Sequence, residues 1–245
     1  MTRNITIMQN LIQWQGHTWE TKERWGEIHP GKRYCYYDPT AVEIKNGNLV
    51  LKTHYNPKSF TIDGQEFVSN IGIGLVSNTT HLSYGYYEIE AKLPSGKHLW
   101  PAFWMYAFES HPPEIDILEA YTKNKKGYFN PFAKSILGIW QVETNVHYGF
   151  RKDNTYKMTG GKTHWFGLMN PAKRFIKYGL LWEPSKIVFF YNGLIVRKIT
   201  NKEVLKYFDN VTMNVIINNH VDSDVDVDNP PVSEFIIKSF KHEPF

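Results

Sequence analysis

Cysteine is nearly missing from this sequence. Cys35 stands alone among 245 residues, so no intramolecular disulfide can form and stability has to come from the core; a lone cysteine reads as an inert buried residue. Long apolar runs are missing as well, and no stretch approaches the roughly 20 apolar residues a membrane-spanning helix needs. The opening residues MTRNITIMQNLIQWQGHTWE place polar side chains and tryptophans where an export signal would carry an unbroken apolar segment. Charge bias is weak: 28 Lys and Arg against 24 Asp and Glu leave +4, scattered along the chain. That balance argues against a nucleic-acid footprint and suits an anionic substrate. Capped helical periodicity is almost absent, the best candidate being NKEVLKYF (201–208). No fixed-period repeat, low-complexity tract or Pro/Gly-rich linker divides the chain. The expectation is one domain over residues 1–245, monomeric, with no nucleic-acid and no membrane partner.

Aromatic residues, at 16%, are abundant, which excludes intrinsic disorder. The dominant local pattern is period two. AVEIKNGNLVLKTHY (41–55) has two alternating runs around Asn46-Gly47, a strong hairpin signal. YGLLWEPSKIVFFYNGLIVRKI (178–199) reads as three strands separated by Glu183-Pro184-Ser185 and Asn192-Gly193. Further strands are expected at 84–94, 211–219 and 233–240. Many short strands at regular spacing predict an all-β, antiparallel sandwich of jelly-roll type with a concave cleft.

The segment HPPEIDILEAY (111–121) carries Glu114, Asp116 and Glu119 in what otherwise reads as an interior strand. Glu114 and Asp116 share a face, but Glu119 is five residues from Glu114 and would point the other way in a regular strand. A β-bulge at Ile117 or Leu118 would return Glu119 to the same face. Two carboxyls brought to roughly 5 to 5.5 Å suit a retaining glycosidase, and a wider pair suits an inverting one. With 24 acids in 245 residues, this spacing arises by chance about 0.2 times, so context has to decide. The upstream aromatic strand LWPAFWMYAF (99–108) favours an interior, concave position over an exposed edge.

GLVSN (74–78), YGYYEIEAKLPSGKHLWPAFWMY (84–106), EIDILE (114–119) and NVHYG (145–149) occur in the order, and nearly the wording, of glycoside hydrolase family 16, and YGLLWEPSKIVFFYNG (178–193) resembles that family's strands after the active site. The resemblance implies endo-acting hydrolysis of β-linked polysaccharides with retention. It implies Glu114 as nucleophile, Glu119 as general acid then base, and Asp116 as their orienting partner. EIDILE, with one extra residue before the last Glu, is similar to the motif of laminarinases, agarases and carrageenases. It is unlike that of lichenases and xyloglucan-active members. An extracellular or cell-surface location is also implied, and no cofactor.

Trp100 and Trp104 share a strand face and could stack on sugar rings; the alternative is packing in a sandwich core. The resemblance places His147, in NVHYG, beside the acids. Asn218 ends MNVIINN where many members carry asparagine, although the Gly-Gly that often follows in glucanases is HVDSD here. Asp222, Asp224, Asp226 and Asp228 loosely suggest a calcium loop, but Val227 stands where the template needs Gly and Ser233 where it needs Glu. A solvated acidic rim is the preferred reading, and no metal ligand is assigned. Some family members hold a structural calcium, whose ligands find no clear match here. Segment 122–144 reads as a cleft-lining loop, a turn of irregular helix or a plain surface insertion; Lys123, Lys125, Lys126 or Lys134 could attract sulfated or uronate-bearing chains, although loop lysines are more often simply solvated. The competing classes are a lectin-like carbohydrate-binding jelly roll and a capsid-type structural jelly roll. The first has no need of three acids on one face, and the second leaves acids and tryptophans unexplained.

Overall fold

A computed structural model describes residues 10–29, 31–121, 140–150, 155–165 and 170–245. From the amino end the strands are β1 (Leu11–Trp14), β2 (His17–Glu20), β3 (Cys35–Tyr37), β4 (Val42–Lys45), β5 (Asn48–Ile62) and β6 (Gln65–Ile73). There follow β7 (Leu75–Asn78), β8 (Gly85–Lys92), β9 (Leu99–Ala107), β10 (Glu114–Glu119), β11 (Trp140–Tyr148) and β12 (Lys157–Trp165). The last are β13 (Ile176–Glu183), β14 (Lys186–Tyr191), β15 (Leu194–Ile199), β16 (Met213–Val221) and β17 (Ser233–Pro244). One helical turn, α1 (Lys202–Leu205), sits in the expected 201–208 segment, capped by the Asn201 side chain accepting from the Glu203 amide.

The strands form two stacked sheets, the antiparallel sandwich expected from the period-two pattern. One runs β1-β2-β7-β16-β9-β10-β11-β12, and the other β15-β14-β13-β8-β17-β5-β6-β3, with β4 beside β5. The described pairs are antiparallel except β3 with β6. Hairpins form where φ > 0 is accessible: Asn46 (52°) and Gly47 (80°) join β4 to β5, and Asn192 (48°) and Gly193 (78°) join β14 to β15. Asp63-Gly64 closes an additional hairpin between β5 and β6, with φ of 53° and 74°. Pro57 cannot donate to a ladder, and the β5–β6 register shifts between Tyr55 and Lys58, where it sits.

The core lies between the sheets. On β8, Tyr87, Ile89 and Ala91 point inward, and on β9 Phe103 and Met105 meet them from the opposite sheet. Ile89, Phe103 and Met105 each contribute on the order of 1.5–3 kcal/mol through burial. The alternate β9 positions Trp100, Ala102 and Trp104 therefore face outward, and with Asn218 and His220 of β16 they line a cavity on the outer face of the eight-stranded sheet. The segment between β2 and β3 covers one side of it.

Candidate active site

The acidic strand β10 is held between β9 and β11. Asp116 pairs with Trp104 and Leu118 with Phe103, so Ile117 is an extra residue without a counterpart on β9. The register with β11 shifts over the same stretch. Ile117 and Leu118 both enter the core, and Glu119 emerges on the cleft side with Glu114 and Asp116. This is the bulge the spacing required. A regular strand would have sent Glu119 into the core as a carboxyl without compensation.

The three carboxyls line a cavity of ≈ 190 Å³ and differ in their surroundings. Burial pushes Glu114 upward, but a hydrogen bond to His111, the charges of His147 and His111 and a bond with Asp116 outweigh it and hold Glu114 below the usual glutamate range. Asp116 is raised well above its ordinary value, first by burial and then by the charges of Glu119 and Glu114. Glu119 is also raised: burial and the charge of Glu114 outweigh hydrogen bonds from Asn145, Tyr121 and Trp100. The Trp100 and Tyr121 bonds reach Oε1 at 3.1 Å each, and Asn145 reaches Oε2. The three acids thus differ in proton affinity: Glu114 gives up its proton most readily, while Asp116 and Glu119 hold theirs to higher pH. Groups driven apart in this way divide nucleophile from acid.

His147, on β11 opposite Glu114, has Nε2 at 3.1 Å from Asp116 Oδ2 and 3.3 Å from Glu114 Oε1, while Nδ1 lies 2.7 Å from the Tyr156 hydroxyl. Nε2–H is placed to donate to the acids, and Nδ1 lies beside the Tyr156 hydroxyl. Asn218 Oδ1 accepts the Trp104 indole N–H at 2.8 Å, which fixes that ring. Both tryptophans carry a tyrosine neighbour: Tyr121 stacks on Trp100 at 4.9 Å and Tyr106 on Trp104 at 5.3 Å. The Lys32 ammonium also lies 4.3 Å from the Trp100 ring centroid.

Several residues around the acids stand out in the structure rather than in the sequence. His111 bonds Glu114, and Asn145 and Tyr121 bond Glu119. Glu23, Trp25, His29 and Lys32 form the cavity wall built by the segment before β3. Glu23 is buried at 2% exposure and accepts the Tyr106 hydroxyl on Oε2 at 3.1 Å; burial raises its carboxyl to about 8. Their signals in sequence were faint. His111 lies one helical-turn distance before Glu114, Asn145 lies inside NVHYG, and the 23–32 residues sit in no periodic run.

Glu114, Asp116 and His147 also place one ligand atom each within 4.8 Å of one another, the one such group found among the described residues. Asp222, Asp226 and Asp228 use carboxylate oxygens in turns and side-chain bonds: Asp222 accepts from the Asp224 amide, Asp226 from the Asp228 amide, and Asp228 from Asn70. Cys35 is buried with Sγ 3.6 Å from His220 Nε2, and burial pushes its thiol up to about 12, the inert state expected of it. Lys123, Lys125, Lys126, Lys134 and most of segment 122–144 lie outside the described residues.

An all-β sandwich carrying a bulged strand with three acids over an aromatic-walled cleft defines a class, and sequence comparison supplies the family. Residues 31–231 match glycosyl hydrolases family 16. The chain belongs to that family. It is 26% identical over 187 residues to glucan endo-1,3-beta-glucosidase A1 of Niallia circulans, covering 73% of this chain and 25% of that protein. It is 32% identical over 161 residues to a glucan endo-1,3-beta-glucosidase of Cryptopygus antarcticus, covering 62% and 53%. Among solved structures, the catalytic domain of an endo-1,3-beta-glucanase (laminarinase) from Thermotoga petrophila RKU-1 superposes with a TM-score of 0.70 at 18% identity, covering 99% of this chain and 94% of that one. The kappa-carrageenase of Pseudoalteromonas carrageenovora gives 0.63 at 17% identity, covering 96% and 98%. The chain spans from 25% to 58% of the length of the first five curated relatives.

Proposed function

We propose that this chain is an endo-acting, retaining glycoside hydrolase that cleaves internal β-linkages of a polysaccharide, either a β-galactan of agar, porphyran or carrageenan type or a β-1,3-glucan. The observation that carries this reading is the division of proton affinity along one bulged strand, with Glu114 held low and Glu119 held high on the same cleft face. In the first step a Glu114 oxygen attacks the anomeric carbon, the glycosidic C–O bond breaks, and the Glu119 proton passes to the leaving oxygen. Forming the ester removes the negative charge of Glu114, one of the causes that raise Glu119. Glu119 then takes a proton from water, which attacks the anomeric carbon and releases Glu114 as carboxylate. Asp116, its proton affinity raised by burial and bonded to Glu114, orients the nucleophile, while His147 ties both to β11. The polymer lies across the strands, and Trp104 supplies an apolar surface beside the reacting sugar.

The relatives named as endo-1,3-beta-glucosidases and the kappa-carrageenase neighbour support endo cleavage of β-linked chains. Reducing-end release from laminarin, agarose, porphyran and carrageenan, with product sizes followed over time, tests the reading. Early appearance of medium-length oligosaccharides from one of these polymers is expected. Release of monosaccharide alone, or cleavage of lichenan alone, would overturn it.

A further inference from the structure

Lys32 is a cation in the cleft without a counter-charge of its own. Among the described residues its ammonium makes no ion pair, whereas Lys52, Lys58 and Lys238 each reach a glutamate. Its one side-chain partner is the Trp100 ring, 4.3 Å away, and the indole N–H of that ring holds Glu119. The polar groups that share its corner are largely uncharged. Burial keeps the Cys35 thiol protonated, holds the His220 ring well below the usual histidine range and raises Glu23 to about 8. Glu114, the ionised acid, is already served by His111 and His147. Burial lowers Lys32 from the ordinary lysine value although Glu119, Glu23 and Glu114 act in the opposite direction, so an added anion beside it would be favoured. Half-buried at the cavity wall, the amine is open to a ligand in the cleft.

We propose that Lys32 forms an ion pair with an anionic substituent, a sulfate ester or a carboxylate, on the sugar bound beside Trp100, and so makes the cleft selective for acidic chains. The proposal rests on the polysaccharide-hydrolase reading above and narrows its substrate class. Lys32 lies on the β16 side of the acids, since its neighbours Trp100 and His220 belong to β9 and β16 while His147 and Tyr156 stand on the other side. The substituent it reads is therefore carried by a sugar on that side of the scissile bond. A negative chain approaching Glu114 is repelled, and a solitary cation one indole away from Glu119 offsets that repulsion where the chain must sit.

The test uses the full chain and two matched polymer pairs: a sulfated galactan with its chemically desulfated form, and a β-1,3-glucan oxidised to carry C6 carboxylates with its neutral parent. For each pair the charged-to-neutral ratio of kcat/KM is measured at low and raised ionic strength. The wild type prefers the charged member of at least one pair, and the responding pair tells sulfate from carboxylate. Lys32→Met lowers that ratio about tenfold or more, and Lys32→Arg keeps most of it. Raised salt narrows the preference in the wild type and has less effect in Lys32→Met. An unchanged ratio in Lys32→Met, or preference for the neutral member of both pairs, overturns the proposal while cleavage itself leaves the hydrolase reading standing. If the wild type cuts none of the four polymers, the hydrolase reading falls for these chains and binding of the same polymers decides: charge-selective binding lost in Lys32→Met retains the anion site, and its absence removes it.

Discussion

Ile117 and Leu118, consecutive in the chain, both point into the sandwich core. Neighbours in a regular strand face opposite ways, so this pair is the physical signature of the bulge, and Glu119 reaches the cleft because of it. Deleting Ile117 restores a regular register and turns Glu119 toward the core. The deletion variant is expected to lose turnover by more than about a thousandfold and to unfold at a lower temperature, since a carboxyl is then buried unpaired. Near-native cleavage by a folded Ile117 deletion would show that the bulge does not position Glu119.

Glu114→Ala and Glu119→Ala are each expected to lower turnover by several orders of magnitude with the fold intact, because each removes a separate covalent or proton-transfer role. Azide, able to stand in for a missing carboxylate, should rescue Glu114→Ala with an azide product of inverted configuration. Glu119→Ala should give azide products of retained configuration from substrates with good leaving groups. Circular dichroism confirms folding in each case. Activity close to wild type in both variants would show that these two glutamates do not carry the chemistry.

The pH profile of kcat/KM should be bell-shaped. Its acid limb reports protonation of Glu114, held low by His111 and His147, and its alkaline limb reports loss of the proton from Glu119, held high by burial. Replacing His111 by Asn removes a group that lowers Glu114, so the acid limb should move to higher pH while the alkaline limb changes less. An acid limb that stays in place would mean that His111 does not tune Glu114.

Glu23 gives a separate linkage prediction. Its folded-state value, about 8, lies above the ordinary glutamate value of 4.5. The stabilisation from holding it neutral is therefore complete below the unfolded value and is lost as pH rises toward and through about 8. Relative to the wild type, Glu23→Gln should gain stability across that window, on the order of a few kcal/mol at its alkaline end. Denaturant unfolding at several pH values measures the difference, and a constant offset between the two proteins would contradict the assignment.

Much of this was legible in the sequence for identifiable reasons. Alternation and the Asn46-Gly47 and Asn192-Gly193 dipeptides encode strands and reversals locally, so the β4–β5 hairpin and the β13–β15 meander stand where expected. EIDILE carries its bulge in its spacing, one residue too many for a shared face. The β5–β6 hairpin has an equally local signal in Asp63-Gly64, but Pro57 interrupts the preceding run and obscures it. The wall formed by Glu23, Trp25, His29 and Lys32 is different in kind. These residues lie outside regular strands, and their burial and shifted protonation arise from contacts with Tyr106, Trp100 and the acids, distant in the chain. No short-range pattern encodes such contacts.

Glu114 as the nucleophile is open to direct chemical trapping. A 2-fluoro glycoside of the cleaved sugar, with an activated leaving group, traps the ester of a retaining enzyme, and peptide mass mapping locates it. A glycosyl adduct is expected on the peptide containing Glu114 and absent from Glu114→Gln. An adduct on Glu119 instead, or release of product with inverted configuration, would contradict it.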